Sequence, residues 1–428
     1  MKILLITHFF PPFNSIGAVR AGKTTKYLVE LGHEVKVVSC KDQALASSLP
    51  MEIPEDSVQY TSWWDVNSPV ELVLGGKKKV AAKGYYPSAK YLPGYFFSLG
   101  TFYKNLLNFP DGKIGWFPFA KRKGQQIIRQ WEPDLIFASA TPYTSLLIAS
   151  SLSRKYKIPW VAELRDLWVD NPYWIRPSWR YFFENLLERC ILSSATGLVT
   201  VSNPLAETLK SKYKVPCEVI TNGFDPGDYP DHSKILFSTG KIHITYTGQL
   251  FNLMRDPSPL FVALSKMGSA AENFKVHFYG RYNDLALHMA LKHNVDHLVE
   301  IHEPVSYMEA INIQVQSDIL LLFPGYSEKE TGVFTGKIFE YLGARRPILC
   351  IGNTDGVAAK LIRERDAGFS LDDPEKIAEQ LSLWVKQKSE GGEIPSLPAE
   401  VGIGYTRKEQ TEKLSSFLES CLSKYESA

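Results

Sequence analysis

The chain has 428 residues, 44% of them hydrophobic and 22% charged, with a net charge of +2. That length supports two or three domains with substantial cores, and that charge gives no global reason to expect a nucleic-acid partner. No apolar run of about 18 residues occurs, so no membrane-spanning helix is expected, and the five scattered cysteines without a C-x-x-C pair argue against both a disulfide framework and a zinc site.

Chain order gives a run of βα units. "KILLIT" (2–7) is a buried parallel strand, and its N-terminus lacks the cleavage site of a signal peptide. "AVRAGKTTKYLVELG" follows as a helix closed by Gly32, then "HEVKVVSC" (33–40) as a strand. Residues 71–130 interrupt with eleven Lys or Arg against two acids, interleaved with aromatics. Such composition suits an anionic membrane surface, or an insertion whose aromatics pack on the parent domain. "PDLIFASA", "TPYTSLLIASSLSRKY" and "IPWVAEL" resume as strand, helix, strand, and "GLVTVS" and "CEVITNG" complete the first half. Residues 224–241, rich in Gly, Pro and Asp, are expected as a linker. A second series follows, with strands "IHITYTG", "KVHFYG", "LVEIHE", "DILLLFP" and "RPILCIG". Ser306 and Glu309 form a capping box, Thr335 caps "TGKIFEYLGA", and a helix from Thr406 ends the chain.

The pattern predicts an α/β protein of two doubly wound Rossmann-like domains facing across a cleft. The expected boundaries are 1–223 with the basic insertion, the linker 224–241, 242–405, and a terminal helix 406–428 returning to the first domain.

Gly17, Gly22, Lys23 and Thr24 match the spacing of a P-loop. The context rejects it. Two prolines separate the strand from Gly17, and the amphipathic pattern has the helix running by residue 19, which places Gly22–Thr24 inside it. There the backbone amides are already bonded and cannot cradle phosphate. Gly17 itself closes the first loop before a helix N-terminus, where it permits close approach of an anion. The most specific stretch is "ETGVFTGKIFEYLGARRPIL". A diphosphate at this helix N-terminus meets Thr335, Gly336 and Lys337, and Glu340 can accept hydrogen bonds from a ribose diol. Arg255 is a candidate second cation, or else an ordinary partner of Asp256. Gly248 and Gly280, in the strand-end loops "YTGQL" and "FYGRYND", are further donor-site candidates.

In order and spacing, "HFFPP…GAVRAGK", "PDLIFASATP", "PWVAELRDLW", "ITNGFD", "YTGQL" and "TGKIFEYLGARRPIL" resemble GT-B glycosyltransferases of the retaining glycosyltransferase family four, over nearly the whole chain. The resemblance implies that Glu340 binds the nucleotide ribose. It implies that Lys337 and Arg255 hold the diphosphate, with the Gly17 loop facing it across the cleft. Arg165 and Asp166 become the catalytic candidates, in contact with the donor sugar, its phosphate or the acceptor hydroxyl. Two positions depart from the family pattern. The residue eight before Glu340 is Gly332, where the family often has a glutamate, so Glu330 or Glu328 is the candidate replacement, with Glu330 taken as the site residue. Gln249 stands where many relatives carry a basic residue.

The expected function is transfer of a sugar from a nucleoside-diphosphate sugar to a hydroxyl acceptor with retention. The acceptor is expected to be a cell-surface polysaccharide or lipid-linked glycan precursor. A sugar-nucleotide epimerase and a non-catalytic GT-B subunit stay open as alternatives. No metal and no cofactor beyond the donor are expected: no D-x-D occurs, and His288, His293, His297 and His302 lack a completing ligand set. The expected location is cytoplasmic, with peripheral attachment to the inner membrane face open and no nucleic acid as partner.

Overall fold

The computed structural model describes the chain except residues 42, 44, 68–104, 172, 173, 175, 231–236, 238, 239, 251–254, 325–331, 333 and 428. Most of the basic aromatic insertion and Glu330 therefore lie outside the described residues. Two units emerge. The first comprises Met1–Thr200, Leu205–Val219 and Leu414–Ala428, and the second Val201–Pro204 and Ile220–Lys413.

The first unit holds a sheet of seven parallel strands, β1 (Lys2–Thr7), β2 (Glu34–Cys40), β3 (Val58–Thr61), β4 (Leu135–Ala140), β5 (Trp160–Leu164), β6 (Gly197–Thr200) and β7 (Cys217–Val219). Their order is β3-β2-β1-β4-β5-β6-β7, so the winding reverses between β1 and β4. Central strands buried on both faces must be apolar throughout, and "KILLIT" and "LIFASA" meet that demand: all of β4 is buried. Helices α1 (Ile16–Glu30), α2 (Phe117–Trp131), α3 (Thr144–Tyr156), α4 (Ser178–Leu192) and α5 (Asn203–Lys212) connect the strands. α1 starts where Ser15 caps it, its hydroxyl accepting from the Ala18 amide. Gly22, Lys23 and Thr24 therefore sit in mid-helix, and Lys23 bonds Glu52 rather than a phosphate loop.

His8 follows β1 and is 1% exposed, its ring edge-on to Phe9, Trp63 and Trp116. Neither ring nitrogen has a hydrogen-bond partner among the described residues. Burial, with the charge of Lys113, pushes its pKa down to about 3. A base depressed in the folded state stabilises fully above its unfolded value, about 6.5. That stability falls as pH drops toward 3. Between pH 6.5 and 5 the loss is about 2 kcal/mol. Urea unfolding of the wild type should show this loss on top of that from His277, which burial likewise pushes down to about 3, and His8→Phe should have a slope shallower by the His8 share. An unchanged slope in the variant refutes the assignment.

The second unit has six parallel strands, β8 (Ile242–Thr247), β9 (Phe274–Tyr279), β10 (Val299–His302), β11 (Ile319–Leu322), β12 (Ile348–Ile351) and β13 (Gly368–Leu371), ordered β10-β9-β8-β11-β12-β13. Its helices are α6 (Ser258–Met267), α7 (Asp284–Lys292), α8 (Tyr307–Gln316), α9 (Gly336–Ala344), α10 (Val357–Glu364) and α11 (Pro374–Gly391). The capping box of Ser306 and Glu309 is present. The stretch expected as a linker begins inside this unit. Phe224 pairs with Thr406, and the Tyr229 hydroxyl donates to the Glu340 carbonyl at 2.7 Å.

The last helix, α12 (Arg407–Glu426), opens on a Thr406–Glu409 cap in the second unit and runs into the first from Leu414. There Ser415 bonds the His33 ring at 2.7 Å. A Cβ on Gly197 would lie 2.6 Å from Cys421 Sγ, so a glycine is what lets the helix seat against β6.

Candidate donor site

The second unit brings the candidate donor residues to the carboxyl end of β8, where ligands bind in doubly wound sheets. The backbone dictates two glycines. A Cβ on Gly280, whose φ is 146°, would strike the Gly248 carbonyl oxygen at 2.2 Å. A Cβ on Gly248 would lie 2.3 Å from Lys337 Cε and 2.7 Å from its Nζ. The lysine stem thus lies across the bare face of Gly248, with its ammonium 5.8 Å from the Tyr246 ring centre. Among the described residues no carboxylate lies within ion-pair distance of Lys337.

Lys337 is in the first turn of α9. Thr335 occupies the N-cap position but its side chain makes no capping bond, and its buried hydroxyl has no partner among the described residues. The Gly336 and Lys337 amides are therefore uncapped at the positive end of the helix dipole. Arg255 also reaches Tyr246: its Nη1 donates to the Tyr246 hydroxyl at 3.2 Å and to the Gln249 carbonyl at 3.1 Å. The sequence leaves Tyr246 as one more strand apolar, yet its hydroxyl links strand end and cation. Gln249 contributes a carbonyl where a cation was the family expectation.

One turn into α9, Glu340 Oε2 accepts from Gln314 Nε2 at 3.2 Å. Gln314 is fully buried and also donates to Thr247 Oγ1 at 2.9 Å. The carboxylate is thereby oriented while half-exposed. Periodicity could not flag Gln314, because a buried polar residue on a helix face looks like any surface position in one sequence.

In the first unit, Arg165 and Gly17 meet. Arg165 follows β5 and donates from Nε to the Ala140 carbonyl and from Nη2 to the Thr141 carbonyl, each at 2.8 Å. A Cβ on Gly17 would sit 2.6 Å from Arg165 Nη1, so the close approach Gly17 permits is taken up by this guanidinium. Asp166 beside it is half-buried, and burial raises its pKa against the opposing charge of Arg165. Beneath them Glu163 is 3% exposed. Arg20 Nη2 and Nε donate to its Oε1 at 2.7 and 3.0 Å, and Ser139 donates to its Oε2.

The histidines grouped by sequence proximity are not brought together. His293 caps the end of α7, His297 pairs with Glu272 at 2.8 Å, and His302 instead meets His277 from the neighbouring strand.

Two parallel doubly wound units, the last helix passing from the second to the first, define the GT-B fold of glycosyltransferases. Residues 80–228 match the sequence profile of Glycosyltransferase Family 4. No curated protein matches the chain by sequence. Solved structures share the fold at low identity. Sucrose-phosphate synthase from Thermosynechococcus elongatus is 11% identical with a TM-score of 0.64, covering 99% of each chain. Anabaena HepE, solved with UDP and glucose, is 14% identical with a TM-score of 0.64, covering 98% of this chain and 100% of its own. WaaG, a glycosyltransferase of lipopolysaccharide biosynthesis, is 12% identical with a TM-score of 0.58, covering 97% and 99%. The chain is thus a GT-B protein resembling family-four glycosyltransferases.

Proposed function

We propose that the chain transfers a sugar from a nucleoside-diphosphate sugar to a hydroxyl acceptor with retention of configuration. The observation that carries the reading is Lys337 laid across Gly248 at an uncapped helix N-terminus, with Glu340 one turn behind it. As the glycosidic bond stretches, the leaving diphosphate gains charge. Lys337, Arg255 and the Gly336–Lys337 amides are fixed donors for that charge, and such groups are worth roughly 3–4 kcal/mol each. These cations take the part a divalent metal plays elsewhere, so turnover needs no Mg²⁺. HepE was also solved with UDP-glucose, which makes uridine nucleotides the first donors to try.

Arg165 and Asp166 belong to the first unit and act on the acceptor side in this reading. Gly17 supports them by making room for the guanidinium. The acceptor is a glycan precursor at an anionic membrane surface, supported by the net +9 of residues 71–130. Among the described residues no helix is long and apolar enough to cross a membrane. Trp116, within that segment, is a core residue whose indole donates to Thr61 at 2.7 Å, so not all of its aromatics serve a surface.

Calorimetric titration with UDP-, ADP- and GDP-sugars tests the donor site, and silence from all of them sinks the reading. Transfer to a lipid-linked acceptor separates a transferase from an epimerase or a binding subunit. Glu340→Ala should weaken nucleotide affinity about 10- to 100-fold, the value of hydrogen bonds to a charged group. Unchanged affinity would show that the ribose is not held there.

A further inference from the structure

β9 and β10 turn alternate side chains to one face of the second sheet, and the register places Glu300 beside His277 and His302 beside Tyr279. Three donor atoms converge there. His277 Nδ1 and His302 Nε2 are 3.1 Å apart, and Glu300 Oε2 is 3.3 Å from the first and 3.6 Å from the second. Ligand atoms about 2.0–2.2 Å from a tetrahedral zinc stand about 3.3–3.6 Å from one another. The triangle has that size.

The surroundings hold each donor in place. His243 Nδ1 bonds His277 Nε2 at 2.9 Å, fixing the ring so that Nδ1 points into the triangle. Lys275 holds the other carboxylate oxygen of Glu300 at 3.1 Å. Tyr279 stacks on His302 at 4.2 Å, and Phe237 stacks on His243 at 4.6 Å. Oriented outer partners and aromatic walls are what a metal-ligating histidine needs. His277 is buried, whereas the His302 and Glu300 side chains are 31% and 44% exposed, which leaves an entry path.

We propose that His277, Glu300 and His302 bind a zinc ion, with a fourth position open to water. The ion is distinct from the donor phosphates and ties the edge strand β10 to β9. It also reaches the donor site through the backbone. The His302 carbonyl accepts the Gly280 amide at 3.3 Å, and Gly280 abuts Gly248.

The test uses the full chain, stripped with EDTA and titrated with ZnCl2 against a competing chelator, without nucleotide. One zinc per chain is expected, with a rise in Tm. His302→Ala and Glu300→Gln should each weaken zinc at least 100-fold while the far-ultraviolet circular dichroism stays native. His243→Asn, which only orients His277, should weaken it about 10- to 100-fold. The Co²⁺ form should show the visible bands of a four-coordinate ion in the wild type and lose them in His302→Ala. Failure to bind zinc overturns the proposal and leaves a hydrogen-bonded network. Equal binding by His302→Ala and Glu300→Gln also overturns it, by placing zinc on other histidines. Neither outcome touches the glycosyltransferase reading, which the sugar-nucleotide titration tests separately.

Discussion

Replacing Lys337 with alanine should lower kcat/KM for the sugar nucleotide about 10²- to 10³-fold, the loss expected when one preorganised donor to a developing charge is removed. Stability should hardly change, because the side chain is half-exposed and has no carboxylate partner among the described residues. The same geometry makes a second variant informative. Gly248→Ala puts a methyl 2.3 Å from Lys337 Cε, so it must push the ammonium aside without removing it. Its activity should fall toward that of Lys337→Ala, and the double variant should be little worse than either, since both act through one group. Arg255→Ala should cost less, because that guanidinium is already committed to Tyr246 and Gln249. Full activity in Gly248→Ala would show that the lysine's present position is not the working one.

The strands around which these residues gather were legible because buried parallel strands must be apolar throughout. "KILLIT" appears as Lys2–Thr7 with the expected bounds. β3 and β13 were not legible. "VQYT" and "GFSL" are four residues each and partly exposed, too short for any period to stand out. Gly368 is nonetheless required, since a Cβ there would strike the Ile348 backbone at 2.1 Å. The same contrast holds at the site. Lys337 and Glu340 stood out because local helix geometry puts them together. Gln314, Tyr246 and the contact of Gly17 with Arg165 depend on long-range register, which one sequence does not display. The histidines illustrate the difference most sharply. Nearness in sequence grouped His293 with His297, whereas strand pairing brings together His243, His277 and His302 across sixty residues.

Arg20→Ala should destabilise the first unit by about 3–5 kcal/mol, because it strands a buried carboxylate. Arg20 on α1 and Glu163 on β5 are both 3% exposed, and their pair pins the helix that carries Gly17 to the strand that leads into Arg165. Replacing both, as Arg20→Met with Glu163→Leu, should cost far less than the single change, since desolvation of the ions is then relieved as well. The pH dependence gives a sharper check. In the wild type burial pushes the Glu163 pKa up, but Arg20 and Ser139 outweigh it and hold the group below its ordinary value. A carboxylate depressed in the folded state stabilises above its unfolded value and loses that stability as pH falls through the folded one. Without Arg20 burial is opposed only by Ser139 and the charge of Arg165, and the expected result is a reversed sign, with the folded group preferring its proton. The penalty of Arg20→Ala should therefore shrink as pH is lowered from 7 toward the unfolded carboxylate value. Urea midpoints at the two ends of that range, followed by tryptophan fluorescence, measure it. A penalty that stays constant or grows would mean that Glu163 does not carry the charge that Arg20 is there to balance.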